Sequence, residues 1–331
     1  GSTMLNLACS GRVFGCFMKG KYYLFVGDST SGKTFLALTC LAEAAISNRF
    51  AEHRIIYDNV EDGALMDMER FFGRRVAERL EPPAGTRDDP KYSETVEDFY
   101  FHVDDANKEG KPFIYVLDSM DALDTEDDEE KFEERKVAHR KGKKAAGSYG
   151  MSKAKANSTS LRKVVSGLRK TDSILIIICQ TRDNLGFGHD KKTRAGGKAL
   201  KFYATLEIWS SIKEKLKKTV KGKPRTLGIL SQVQVKKNRI TGRDRTVLVP
   251  IYHSHGIDDI GSCVDYLVDE KHWKGSEGNI NAPEFKYKGP RGGLIKQIET
   301  KDQERELRML VGKVWREIEE ACEVKRKNRY E

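Results

Sequence analysis

The sequence predicts an α/β fold, a central and mostly parallel sheet flanked by helices with a small C-terminal lobe, on three observations. An apolar strand, Tyr22-Tyr23-Leu24-Phe25-Val26, runs into a glycine-bounded loop and then into a helical run from Phe35 to Ala45. Later runs at 54–58, 113–117 and 173–180 are short and apolar, and the first two are closed by acids, Asp58 and Asp118. Strands that are apolar throughout are expected where helices cover both faces of a parallel sheet. At the far end, Leu307, Leu310, Val311, Val314, Trp315, Ile318, Ala321 and Cys322 keep a helical spacing, which marks an amphipathic helix in a separate lobe.

The first strand leads into Gly27-Asp28-Ser29-Thr30-Ser31-Gly32-Lys33-Thr34, the full G-x-x-x-x-G-K-[ST] pattern of a phosphate-binding loop. A phosphate chain needs several backbone N–H groups aimed at one point, so the loop must curl tightly, and glycine supplies angles that a Cβ forbids. The following helix adds its N-terminal N–H groups and the positive end of its dipole. Lys33 would reach the β and γ phosphates, and the Thr34 hydroxyl would ligate Mg²⁺.

Composition narrows the class. Charged residues make up 33% of the 331 and apolar ones 38%, a polar but globular balance rather than a disordered one. The longest purely apolar run, 174–179, falls far short of the roughly 18 residues that cross a bilayer. No basic-then-apolar leader follows Gly1-Ser2-Thr3-Met4, so the expectation is a cytoplasmic protein with no membrane partner. Cys9, Cys16, Cys40, Cys179, Cys263 and Cys322 form no C-x-x-C pair, which argues against a zinc site and a disulfide framework. The net charge of +10 points toward a polyanion such as nucleic acid.

In chain order, residues 1–20 carry Gly11, Gly15 and Gly20 and read as an irregular lead-in. Residues 54–58 form a second strand with Glu61 and Asp62 beyond its carboxyl end, the edge where open α/β sheets bind ligands. Residues 81–92, with three prolines, form a loop. The strand at 113–117 ends in Asp118, placed to hold Mg²⁺ opposite Thr34. Seven acids between Asp121 and Glu130 are followed by a run dominated by lysine and arginine up to Lys144, and such blocks predict a mobile excursion. A basic helix is expected to start near Ser158, then a strand over 173–180, a glycine loop over 186–197 and a helix start at Ala199. Residues 213–225 read as a basic, hairpin-like stretch turning at Gly222 and Pro224, followed by strands to Pro250. The division expected is a core over 1–259 and a lobe over 260–331, with Thr300 and Gln303 as a capping box for its last helix. The tail Lys325-Arg326-Lys327-Asn328-Arg329 reads either as a solvated end or as a phosphate contact.

These motifs together resemble a family. The phosphate loop, the strand ending in Asp118, Cys179-Gln180-Thr181-Arg182, the glycine loop, Gly196-Gly197-Lys198-Ala199-Leu200-Lys201-Phe202-Tyr203-Ala204 and Val235-Lys236-Lys237-Asn238-Arg239 follow the order and approximate spacing of RecA-type recombinases over about residues 2–270. The divergent loops and basic-tailed lobe suggest a phage-encoded homologue. The resemblance implies a RecA-like P-loop NTPase core using ATP and Mg²⁺. It matches Glu61 to the glutamate that activates the attacking water, with Asp62 as the alternative, since the match needs one extra residue after Asp58. Met68 falls where the family often has an adenine-stacking tyrosine. Gln180 matches the γ-phosphate sensor, and Lys237 and Arg239 match two cations that a neighbouring protomer brings to the ATP; by themselves they read as two exposed strand cations. The second DNA loop is similar to 186–197, and the first would lie within 147–156. Family members carry an N-terminal helix and strand ahead of the segment resembling residues 2–11, absent here, which implies either a trimmed chain or a different mode of association.

The function that the resemblance implies is an ATP- and Mg²⁺-dependent DNA-dependent ATPase that assembles, as a helical filament, on single-stranded DNA for homologous pairing and strand exchange. Double-stranded DNA is the second candidate partner. Lys153, Lys155, Lys191, Lys192 and Arg194 are expected to contact phosphates, and Tyr149 and Phe187 either stack on bases or pack within their loops. Two rivals remain: a single-strand-binding or annealing accessory protein that uses ATP as an assembly switch, and a hexameric helicase-like motor.

Overall fold

The computed structural model describes residues 1–61, 67–141, 152–183, 192–194, 196–276 and 278–326, and its backbone divides into two units. One unit comprises Phe17–Ile212 and Gln234–Asp244 together with Gly1. The other comprises Ser2–Cys16, Lys213–Val233 and Arg245–Glu331.

The lead-in expected to be irregular holds a helix, α1 (Thr3–Ser10), which belongs to the second unit. Its signals are local: the Ser2 hydroxyl accepts from Leu5 N (3.2 Å) as N-cap, and Gly11 closes the last turn in the left-handed region at φ 67°.

In the first unit β1 (Lys21–Gly27) feeds α2 (Lys33–Ile46), followed by β2 (Arg54–Asp58), α3 (Val96–Lys108) and β3 (Phe113–Leu117). Then come α4 (Glu126–Arg140), α5 (Ser152–Thr171), β4 (Ile174–Asp183), α6 (Gly197–Tyr203) and the first part of β5 (Leu206–Val220). The strands lie in the order β5-β1-β4-β3-β2, and every neighbouring pair is parallel. As the apolar runs require, β1, β2, β3 and β4 are buried almost throughout, with Tyr22, Leu24, Tyr115, Ile177, Leu161 and Leu168 in one core. Residues 126–140, expected to be a mobile excursion, form α4 instead. Four acids (Glu126, Asp127, Asp128, Glu129) occupy its first turn and His139 and Arg140 its last, so blocks that repel among themselves oppose the helix dipole in the favourable sense. Pairs Lys131–Asp127 and Lys136–Glu133 add to this, and no residue of α4 is buried. The basic helix begins at Ser152 rather than near Ser158.

In the second unit the outer parts of β5 and β6 (Lys223–Asn238) turn at Lys221-Gly222, both at positive φ, the geometry of a two-residue hairpin. β7 (Arg245–Tyr252), α7 (Asp259–Asp269), α8 (Arg291–Thr300) and α9 (Glu304–Ala321) complete it, and residues 260–331 all lie in this unit. Asp259 ties three segments together by accepting from Thr3 N, the Thr3 hydroxyl and Arg308 Nε. The amphipathic stripe of α9 is buried at Leu307, Val311, Val314 and Trp315. The capping box expected at its start is not formed: Thr300 ends α8, donating to Lys296 O (2.7 Å), and Gln303 is itself the N-cap without a side-chain bond. None of the six cysteines is in a disulfide; Cys9, Cys16, Cys179 and Cys263 are buried, Cys40 is half-buried and Cys322 is exposed. No described helix is long and apolar enough to cross a membrane.

Candidate active site

Sheet register assembles the site. Gly27 ends β1 abreast of Gln180 on β4 and of Ser210 on β5. A Cβ at Gly27 would stand 2.3 Å from Ser210 Oγ and 2.4 Å from Ser210 O, so only glycine lets the strands meet there. The loop then curls on the carbonyl of Asp28, which accepts from Ser31 N (3.2 Å) and Ser31 Oγ (2.7 Å). Ser31 Oγ also meets Ser210 Oγ at 2.8 Å, while Ser29 and Thr30 are exposed at the tip. Gly32 is the left-handed N-cap of α2 at φ 94°, and the first N–H groups beyond it have no carbonyl within the helix. This is a cradle for an anion at the start of a 14-residue helix.

Lys33, only 7% exposed, gives its ammonium to Asp28 O at 2.7 Å. Burial lowers its pKa from the usual lysine range, and the carboxylates of Asp118, Glu61 and Asp28 pull it back. Thr34 Oγ1 donates to Asp118 Oδ2 at 2.7 Å, and the Tyr57 hydroxyl donates to the same oxygen at 3.1 Å. Burial holds the Asp118 carboxyl above the usual carboxylate range; these donors oppose the shift, and the charge of Glu61 adds to it. One buried carboxylate beside one hydroxyl is a hard-oxygen pair of the kind Mg²⁺ takes when phosphate oxygens and waters supply the rest, so the donor set fits that ion.

Glu61 follows β2, and its N–H donates to Asp118 O at 3.2 Å. Its Oε1 accepts from the Ser119 hydroxyl and from Gln180 Nε2 (2.8 Å). Gln180 in turn has its N–H on Asp121 Oδ2 at 2.6 Å. Glu61, Asp121, Gln180, Thr181 and Arg182 border a cavity of about 590 Å³. Asp62 lies outside the described residues.

Partners invisible to motif reading complete the set: Tyr57, Ser119, Asp121 and Thr181, whose hydroxyl donates to Asp28 Oδ1. Asp58, by contrast, is wholly buried and accepts from Ser93 N, Ser93 Oγ and Tyr115 OH, a framework role.

The other sequence-predicted residues stand apart from the loop's own hydrogen bonds. Lys237 donates to the carbonyls of Lys201 and Phe202, and Arg239 Nη2 donates to Phe202 O at 2.8 Å, so both cations sit at the C-terminal end of α6, where they suit its dipole. Phe202 beneath Arg239 is 64% exposed. Lys155 is exposed on α5, whereas the half-buried Lys153 ammonium donates to the carbonyls of Met120 and Leu123. Lys192 and Arg194 lie on a short strand, Lys192–Arg194, paired antiparallel with the end of β4. Tyr149, Phe187 and Lys191 lie outside the described residues.

Comparison with known proteins agrees with this picture. The family model described as the RecA N-terminal domain matches residues 134–258. The protein RecA of Chloroherpeton thalassium is 28% identical over 264 residues, covering 76% of this chain and 62% of that protein. RecA of Enterococcus faecalis is 28% identical over 275 residues (82% and 69%), and RecA of Mycobacterium ulcerans 27% over 322 residues (92% and 82%). Against Chloroherpeton and two Chlorobaculum relatives the chain spans 62–65% of the relative's length.

Proposed function

From its similarity to RecA proteins, we propose that the chain is an ATP- and Mg²⁺-dependent ATPase of RecA type, stimulated by DNA, that assembles on single-stranded DNA for homologous pairing and strand exchange. The observation that carries this reading is convergence: Lys33 and Thr34 from α2, Glu61 after β2, Asp118 after β3 and Gln180 on β4 meet at one loop mouth.

In this reading the Lys33 ammonium leaves the Asp28 carbonyl for the β and γ phosphates. Thr34 and Asp118 hold Mg²⁺, which when bound neutralises phosphate charge. Glu61, its carboxylate oriented by Ser119, accepts a proton from the attacking water. Gln180 restrains Glu61 through its amide; a γ-phosphate oxygen competing for that amide would release the base and pull on β4, which leads toward the expected second DNA loop. Lys237 and Arg239 serve a neighbouring protomer's phosphates, cations whose arrival depends on assembly. Phosphate contacts come from Lys155 and from Lys192 and Arg194, with Lys153 joining only if it leaves its two carbonyls. A core over 1–259 would carry the chemistry and a lobe over 260–331 would flank it, in the cytoplasm where the DNA is.

Calorimetry with Mg²⁺-ATP and negative-stain imaging with single-stranded DNA test the reading together. Nucleotide binding and helical filaments are expected. Closed rings would favour a helicase-like motor, scattered small complexes an annealing accessory protein, and no nucleotide binding would remove the proposal altogether.

A further inference from the structure

The outer edge of β7 is left open. On one side β7 has β6 as its neighbour; on the other it pairs only with the two-residue strand Gly256–Ile257, through Tyr252 and Ile251. Asp258 N then donates to Pro250 O (3.0 Å), and the chain turns into α7. His253 N donates to Leu227 O on β6 (2.9 Å). Backbone groups of an antiparallel strand point to alternate sides, so Thr246 and Leu248, in step with Pro250, aim their N–H and C=O groups away from β6. Among the described residues no strand meets them there. Pro250, which has no N–H to offer, is a residue that sheets admit at edges.

A cavity of about 640 Å³ opens along this edge, and every residue that lines it belongs to the second unit. Thr246 and Leu248 line it together with Tyr266 and Val268 of α7 and Trp315 and Ile318 of α9. Leu248 is 40% exposed, a large apolar side chain left uncovered beside the cavity. Tyr266 and Trp315 stand ring to ring, centroids 5.8 Å apart. The lining also holds four acids and two arginines. Arg291 is taken by Asp265 (Nε to Oδ1, 2.6 Å) and Arg245 by Glu319 (Nε to Oε1, 2.7 Å). Asp269 and Glu270 remain, both exposed, and among the described residues no ion pair engages either. Burial, and after it the charge of Glu270, raises the Tyr266 hydroxyl above its usual range, so that carboxylate acts on the aromatic part of the lining.

Backbone donors and acceptors left open on a strand are met by another extended backbone, whose alternate side chains then enter the adjoining hollow. An apolar lining selects apolar residues for those positions. The two acids left over select cations and turn a polyanion away, so nucleic acid does not suit this surface. We propose that the outer edge of β7 at Thr246 and Leu248 is a docking site for an extended segment of a partner protein in which basic and apolar residues alternate. The segment adds a strand to the sheet, sets apolar side chains against Leu248 and Tyr266, and lays lysine or arginine against Asp269 and Glu270. None of these residues takes part in the nucleotide site.

The test uses the full-length chain and a fluorescein-labelled eight-residue peptide of alternating lysine and valine, followed by fluorescence anisotropy. Saturable binding is expected, and a peptide with glutamate in place of lysine should bind about tenfold or more weakly, since like charges oppose it. Of two peptides N-methylated on every lysine or on every valine, one should lose binding and the other keep it, because an added strand bonds to the sheet along one side only. Asp269→Asn with Glu270→Gln should weaken binding roughly 2- to 30-fold and flatten its salt dependence, the range for two exposed ion pairs. Leu248→Lys should abolish binding with the melting temperature unmoved, which separates a lost surface from a damaged fold. No saturable binding, equal binding of the glutamate peptide, or two N-methylated peptides that both bind would overturn the proposal. So would self-association, read by light scattering, that Leu248→Lys abolishes while the peptide fails to compete; the edge would then serve a second copy of the chain. Lys325→Gln with Arg326→Gln that tightens peptide binding would assign the edge to the chain's own basic tail instead.

Discussion

Glu61 is held by two donors, Ser119 Oγ and Gln180 Nε2, and its backbone is pinned to Asp118 O. Under the proposed function Glu61 contributes by proton transfer more than by binding. Glu61→Gln should therefore preserve Mg²⁺-ATP affinity while slowing hydrolysis roughly 10²–10⁴-fold. Lys33→Ala should remove hydrolysis, because it deletes the cation aimed into the loop. Calorimetry beside a phosphate-release assay separates the two, and a Glu61→Gln enzyme at full speed would shift the role to Asp62. Asp118 offers a different test. Its folded pKa lies above the unfolded value, so its contribution to stability is present at acidic pH and lost as pH rises through the folded pKa. The ionised form of this buried carboxyl thus weighs against the fold, as functional groups often do. Asp118→Asn should melt above the parent at pH 7–8, the gap closing toward pH 4, and should lose Mg²⁺-dependent nucleotide affinity. A variant that melts below the parent at pH 8 would show that its hydrogen bonds outweigh its burial.

At the level of elements, α4 buries nothing and depends on its cap, the Thr125 hydroxyl accepting from Asp128 N. Thr125→Ala should cost the helix about 1 kcal/mol. Because no core residue depends on α4, the loss should appear as faster amide exchange across 126–140 with the global melting temperature unmoved. A lowered global melting temperature would mean that α4 is coupled to the core after all. The same helix shows where sequence reading stops. β1 to β4 and the loop after β1 were legible because each is a short apolar run whose end carries Gly27, Asp58, Asp118 or Gln180. In α4 the charge blocks read as repulsion, since their benefit depends on order along a dipole that exists only once the helix forms. α1 hid for the opposite reason: its signals are one serine and one glycine around eight residues. Within the site, Lys33, Thr34 and Asp118 were reachable from motifs, and Glu61 and Gln180 through the family resemblance. Ser119 and Thr181 were not, because what each does is set by a partner 58 or 153 residues away across the sheet.

Over the whole molecule, Lys237 and Arg239 rest on the last carbonyls of α6, and the proposed function has them serve a neighbour's site. Two inactive variants should then complement one another. Lys237→Ala, with its phosphate loop intact, mixed with Lys33→Ala, with its cations intact, should recover DNA-dependent hydrolysis at mixed sites, since loss of such a trans cation costs on the order of 10³-fold in related phosphoryl transfer. Co-assembly without recovery would assign the pair to its own chain. Such mixing needs a reporter, and the thiols supply one. Burial denies maleimide access to Cys9, Cys16, Cys179 and Cys263; the hydrogen bond with Cys9, and then burial, raises the pKa of Cys16, and burial raises that of Cys263, further from the reactive thiolate. Cys322, exposed just past the end of α9, is the site a fluorophore reaches first. With the half-buried Cys40 replaced by serine, two batches of the chain can each take one colour at Cys322, so that energy transfer between copies counts neighbours as they gather and scatter.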